Sequence, residues 1–186
     1  MTGKLISFRR DSRGVAAIEM AFILPFLLLL FFSLADLTSL ITLNRKITYA
    51  ASVVGDLVTQ NQTTVTGAAI TDYFDAAKLV MKPTDISSVR VEVYQFRDVG
   101  GGTISSQWNK KSTGGSACGT PSTTGMLNLM TDGNDIIIAK VCGTYTPFVA
   151  TFLGQSILGA TSFTIQQEIA LRPRQSLTLA CSTGCP

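Results

Sequence analysis

The stretch VAAIEMAFILPFLLLLFFSLA, residues 15–35, constrains this chain more than any other part of it. At about 1.5 Å of rise per residue, these twenty-one positions form a helix roughly 30 Å long, the hydrocarbon thickness of a bilayer. Only one of its side chains ionises, Glu19. A carboxylate deep in lipid costs on the order of 2.5–3.5 kcal/mol, less near the interface, so Glu19 requires a partner and a role.

The formal net charge of +3 lies ahead of this run. Lys4, Arg9, Arg10 and Arg13 against Asp11 account for all of it, which leaves eleven basic and eleven acidic residues in 15–186. By the positive-inside rule, residues 1–14 read as a basic cytoplasmic leader and residues 15–35 as a single transmembrane helix. Everything beyond then faces the other side of the membrane. Nucleic acid is excluded as a partner, because a phosphate-binding surface needs a basic patch and the body offers none beyond Lys110-Lys111.

Cys118, Cys142, Cys181 and Cys185 all fall in the translocated part, where an even count points to disulfides. Four cysteines allow three connectivities. The preferred one joins Cys118 to Cys142 and closes the small loop CSTGC with Cys181 and Cys185. Zinc fits poorly, since the closest spacing is C-x3-C and the chain has no histidine.

A cleaved signal peptide would end at the small-x-small site Ser33-Leu34-Ala35. Its apolar region, however, exceeds the usual length of about 7–15 residues and carries Glu19. A plain uncleaved anchor gives Glu19 no role. A third reading does: Gly14 followed by Val15-Ala16-Ala17-Ile18-Glu19, with bases before and a long apolar helix after, resembles the cleavage motif of type IV prepilins and pseudopilins. The resemblance implies that a membrane prepilin peptidase cuts after Gly14 and that Val15 becomes the N-terminus. Glu19 would then pair with the new ammonium group of an axially shifted subunit. Register setting is the best attested use of such a buried pair.

More specifically, RGVAAIEMAFILPFLLLL with its early Pro25, a helix ending near VVGDLVTQ, and VRVEVYQF followed by Trp108 are similar to the TadE/TadG family of the tight-adherence (Flp-type IV) pilus machinery. The match is to the TadE/TadF-type minor pseudopilins. Met20 stands where Flp pilins carry tyrosine, and the chain is far longer than a major pilin. The family implies as partners the prepilin peptidase, the inner-membrane platform, Flp pilin with other pseudopilins, and membrane lipid. It also implies a bacterial inner-membrane location with a periplasmic C-terminal domain, incorporated in the pilus.

Past the span, Leu37, Leu40-Ile41, Ile47, Ala50-Ala51, Val54 and Leu57-Val58 recur at helical steps, so residues 36–60 read as an amphipathic continuation. Together with the span this predicts a helix over 15–59, about 68 Å long. Pro25 removes one backbone bond and marks a candidate kink. Gly55 reads as a close-packing point against a sheet.

Residues 61–186 form the head. GAAITDYFDAAKLVMKP presents Ile70, Tyr73-Phe74, Ala77 and Val80-Met81 on one face and predicts a second helix ended by Pro83. Val89, Val91 and Val93 alternate with Arg90, Glu92 and Tyr94 as in a strand with one buried face. A turn at DVGGGT and a return strand over 103–108 follow, with Trp108 as an anchor. Residues 135–145 make a central strand, and Phe163, Ile165, Ile169 and Leu171 alternate along a last one. PFVATFLGQSILGA between them is too short and Gly-broken to span a membrane; it caps the sheet or rests near the membrane surface or a neighbouring subunit. The expected fold is α+β and pilin-like: a long N-terminal helix packed on a four-stranded antiparallel meander.

The Gly-, Ser- and Thr-rich loop 110–134 is where variable recognition would reside. Its glycines make no phosphate-binding pattern. Asp132-Gly133-Asn134-Asp135 lacks the remaining ligands of a calcium loop, so it reads as a turn. Without histidine, paired catalytic carboxylates or a free nucleophile, no enzyme and no cofactor are expected. The expected function is that of a pilus assembly protein. The alternative is a static, unprocessed, membrane-anchored binding or adhesion protein using loop 110–134.

Overall fold

The computed structural model describes residues 13–83, 86–123, 133–154 and 162–185. Residues 1–12 of the leader, and Asp132 with the middle of the long loop, lie outside them. The first helix, α1, runs Arg13–Thr59 and contains Pro25 without interruption. The chain divides into two compact units: one holds α1 up to Ser39 and the segment beginning at Pro147, the other α1 from Leu40 and the remaining elements.

In the second unit α1 is followed by β1 (Thr64–Thr66), α2 (Gly67–Met81), β2 (Val89–Asp98), β3 (Ile104–Lys111), β4 (Asp135–Tyr145), β5 (Phe163–Leu171) and β6 (Ala180–Thr183). Leu43, Ile47, Ala50, Ala51, Val54 and Val58 of α1 are buried against Val89, Val91 and Val93 of β2 and Ile137, Ala139 and Val141 of β4. Two glycines set the closeness of that packing. A Cβ on Gly55 would lie 2.9 Å from Leu171 and 3.4 Å from Ala139, and one on Gly143 would lie 3.3 Å from Ile47. From Ile47 to Gly55 the helix advances about 12 Å, and from Gly143 to Ala139 the strand advances about 13 Å. The helix therefore tracks β4 in the opposite sense. The buried stripe starts later than its period suggests, because Leu37 and Ile41 are exposed and Leu43 is the first buried position.

Side chains close both helix ends in this unit. Asn61 donates from Nδ2 to the carbonyls of Leu57 and Val58 at the end of α1, and its own amide donates to the Val58 carbonyl as well. Thr66 caps α2 by accepting from the Ala69 amide at 3.2 Å. Lys46 of α1 donates to the carbonyls of Met81 and Lys82, which places a cation at the negative end of α2.

The sheet is antiparallel but is not a meander: its order is β3-β2-β4-β5. β4 is buried at nearly every position on both faces, so it needs two neighbours. The polar β3, with its two lysines, takes the edge. Gly100, Gly101 and Gly102 all have positive φ, and this lets β2 turn into β3 within five residues. A second sheet, the parallel pair β1 and β6, has no counterpart in the sequence reading.

The C-terminal segment is stitched to the sheet through Asp135. Arg97 donates to both of its carboxylate oxygens, at 2.6 and 3.0 Å, and the Leu179 amide donates to Oδ2 at 2.6 Å. Trp108 Nε1 donates to the Leu179 carbonyl at 3.0 Å. The Asp135 side chain is fully buried, so removing its charge strands Arg97 and an amide together. We expect Asp135→Ala to cost about 3 kcal/mol in chemical denaturation of the detergent-solubilised chain. Asp56→Ala, which breaks the exposed pair with Arg174, should cost under about 1 kcal/mol.

Candidate functional site

The first unit is built on the apolar half of α1. Every residue from Gly14 to Leu28 is exposed, including Val15, Ile18, Phe22 and Phe26. This half is long and apolar enough to cross a membrane. Its hydroxyls do not compromise that: Ser33, Thr38 and Ser39 donate to the carbonyls four residues earlier, so they present no unpaired donor to lipid.

Gly14 is the second residue of α1, and a Cβ there would meet nothing within 4 Å. Val15 and Glu19 are four residues apart on this helix and therefore share a face. Glu19 is exposed, and among the described residues it has no hydrogen-bond or ion-pair partner. Pro25 lies on the same helix and leaves the carbonyl of residue 21 without its usual donor. Gly14, Val15 and Glu19 are thus presented together on an open helix surface.

One residue here was not singled out from sequence. Asp36, at the end of the span, accepts from the Phe148 and Val149 amides at 2.9 and 2.8 Å. These are the first amides of α3 (Phe148–Leu153), whose own N-cap, Pro147, supplies no side-chain acceptor. Asp36 therefore caps a helix more than a hundred residues away. The only local signal was a proline before a short apolar run, which says that a helix starts but not what closes it.

In the second unit the outer sheet face, expected to be solvated, is covered. Glu92 is buried; it accepts from Arg90 Nε and from the Tyr94 hydroxyl, both at 2.6 Å. In register across the sheet, Lys111, Glu92, Lys140 and Glu168 alternate in sign over all four strands. Opposite charges directly across from one another stabilise the sheet, where like charges would weaken it.

The described part of loop 110–134 lies on this face. Ser112 exchanges two bonds with Val91, Lys140 Nζ donates to the Thr120 carbonyl, and the Ser122 amide donates to Glu168. Cys118 is bonded to Cys142 of β4. The second disulfide, Cys181–Cys185, closes the C-terminal turn, and Lys110 Nζ donates to the Gly184 carbonyl beside it. Asp135 is committed to Arg97 and the Leu179 amide. Among the described residues no group of three or more His, Cys, Asp or Glu side chains is placed to hold a metal ion.

Residues 14–55 match the family of TadE-like proteins. That segment begins at Gly14, takes in Glu19 and Pro25, and ends at Gly55. No curated protein and no solved structure matches the chain.

Burial, the hydrogen bond to Glu92 and its negative charge raise the Tyr94 hydroxyl above its ordinary value, while Arg90 opposes them. A proton held more tightly in the folded state stabilises it fully below the unfolded value of about 10, and that contribution is lost as pH rises through the folded value. In an ultraviolet phenolate titration, one of the four tyrosines should ionise well above pH 10, and Tyr94→Phe should remove that step. A wild-type Tyr94 ionising at about pH 10 would contradict the arrangement.

Proposed function

We propose that this chain, TadE-like over residues 14–55, is a minor pseudopilin of a Tad/Flp-type IV pilus system. It is held in the bacterial inner membrane by α1, with a cytoplasmic leader and a periplasmic head. A prepilin peptidase cuts after Gly14, and the processed helix joins Flp pilin and other pseudopilins on the inner-membrane platform. The observation that carries this reading is the coincidence of three things in one segment: the family match, the Gly14-to-Glu19 spacing and an apolar helix exposed at every residue from Gly14 to Leu28.

Cleavage turns the Gly14–Val15 peptide into an α-ammonium on Val15. In lipid this cation and the Glu19 carboxylate are each costly alone, by about 2.5–3.5 kcal/mol for the acidic side chain. Pairing between axially shifted subunits offsets both costs, and it does so at only one stagger. The pair therefore selects register more than it adds stability. Pro25 lets the helix bend as it leaves the bilayer, and the disulfide-braced head gives the subunit its identity among similar helices. The chain acts by assembly, without catalysis or cofactor. A static anchored binding protein would use loop 110–134, but it leaves Glu19 uncompensated, and the described part of that loop is engaged with the sheet.

Glu19→Ala is the test. It should leave membrane insertion and the processed mass unchanged, while reducing co-purification with the pilus subunits and piliation at least tenfold. Glu19→Asp, which keeps the charge on a shorter arm, should recover part of the loss. Unchanged piliation and partner recovery in the alanine variant would remove the pairing role.

A further inference from the structure

Between α1 and α3 lies a groove of about 380 Å³ lined by Pro25, Leu28, Leu29 and Phe32 on one side and Phe148 and Val149 on the other. That is within the volume range of sites that hold small ligands. These six lining residues, the ones among the described residues, are all apolar. Phe148 is 55% exposed, and its ring centroid lies 5.0 Å from that of Phe32.

Depth identifies the occupant. Pro25 is ten residues before the end of the span at Ala35, about 15 Å along a helix and half the hydrocarbon thickness of a bilayer. The groove therefore extends over a single leaflet, the one at the Asp36 end, and it is continuous with the uncovered lipid-facing surface of the span. Water finds no polar partners among these described lining side chains. An extended peptide would bring backbone groups that nothing in the groove could pair. A second transmembrane helix, about 10–12 Å across with side chains, is too wide for a cleft of this size.

A hydrocarbon chain has none of these difficulties. We propose that the groove binds one acyl chain of a lipid in that leaflet, and that α3 rests at the membrane interface as its outer wall. Asp36 makes this possible. With the Phe148 and Val149 amides taken by its carboxylate, the start of α3 lies against an apolar boundary with those two donors satisfied. The proposal rests on α1 crossing a membrane and not on processing or pilus assembly.

The test uses the full chain in phosphatidylcholine nanodiscs, with a fraction of the lipid carrying a diazirine midway along one acyl chain. After irradiation, adducts mapped by mass spectrometry should fall on residues 147–154 as well as on α1. Phe148→Ser and Asp36→Ala should each reduce the 147–154 adduct at least fivefold, with adducts on residues 15–24 unchanged as the internal control. Adducts confined to α1, or a 147–154 adduct indifferent to both substitutions, would overturn the proposal. Absence of adducts on α1 itself would overturn the membrane reading beneath it.

Discussion

One helix has to satisfy two solvents. Up to Ser39, α1 offers an apolar surface, exposed at every residue between Gly14 and Leu28 and long enough to cross a membrane. From Leu43 it offers a stripe of small and branched side chains that a sheet buries completely. The two demands differ in sequence terms. Lipid accepts large residues on every side, whereas close packing on a sheet needs Ala50, Ala51 and Gly55 on one face. Leu37 and Ile41 fall at the change of environment, and for this reason a period-based stripe extends too far back.

The head depends on that second half and on a few buried polar links. The side chain of Asp135 is at the centre of them, since it holds Arg97 of β2 and the C-terminal segment at Leu179, while Trp108 of β3 holds the same residue from the other side. The hydrogen bond and charge of Asp135 raise the Arg97 guanidinium further above its already high value, against the opposing effect of burial. Disulfides then fix what hydrophobic burial leaves loose: a polar loop over the outer face, and a C-terminal turn too short to carry a core. Cross-linking of this kind contributes mainly by restricting the unfolded chain, typically about 2–4 kcal/mol per bridge.

Much of this was legible in the residues, for identifiable reasons. The end of α1 near Thr59, a second helix in the stretch 67–83 ended by Pro83, and the strand cores at 89–93 and 135–145 follow from local periodicity and a helix-breaking proline. Gly55 as a packing point and Trp108 as an anchor, of the turn edge or of the core, were legible because a glycine in a helix and a lone tryptophan in a polar strand each need a neighbour; the structure places Trp108 in the core. Strand order was not, because a hairpin signal says which strands are consecutive and not which becomes central. The cover on the outer face was also hidden, since Arg90, Glu92 and Tyr94 look solvated until Glu92 is seen to be bonded by both its neighbours. TVT and ACST carry no strand pattern of their own, and Asp36 closes a helix that local sequence cannot connect to it. Of the candidate site, Gly14, Val15, Glu19 and Pro25 were readable as a motif because their spacing is local. The partner of Glu19 was not, because the pairing invokes another subunit.

The claim on which the functional account turns is that Glu19 is half of an ion pair whose other half is made by cleavage. Cleavage is the step without which the pair cannot exist, and intact-mass and N-terminal analysis of protein extracted from the membrane tests it most directly. The account predicts a mature chain beginning Val15-Ala16-Ala17-Ile18-Glu19. A chain still beginning at Met1, or one beginning at Asp36, would contradict it.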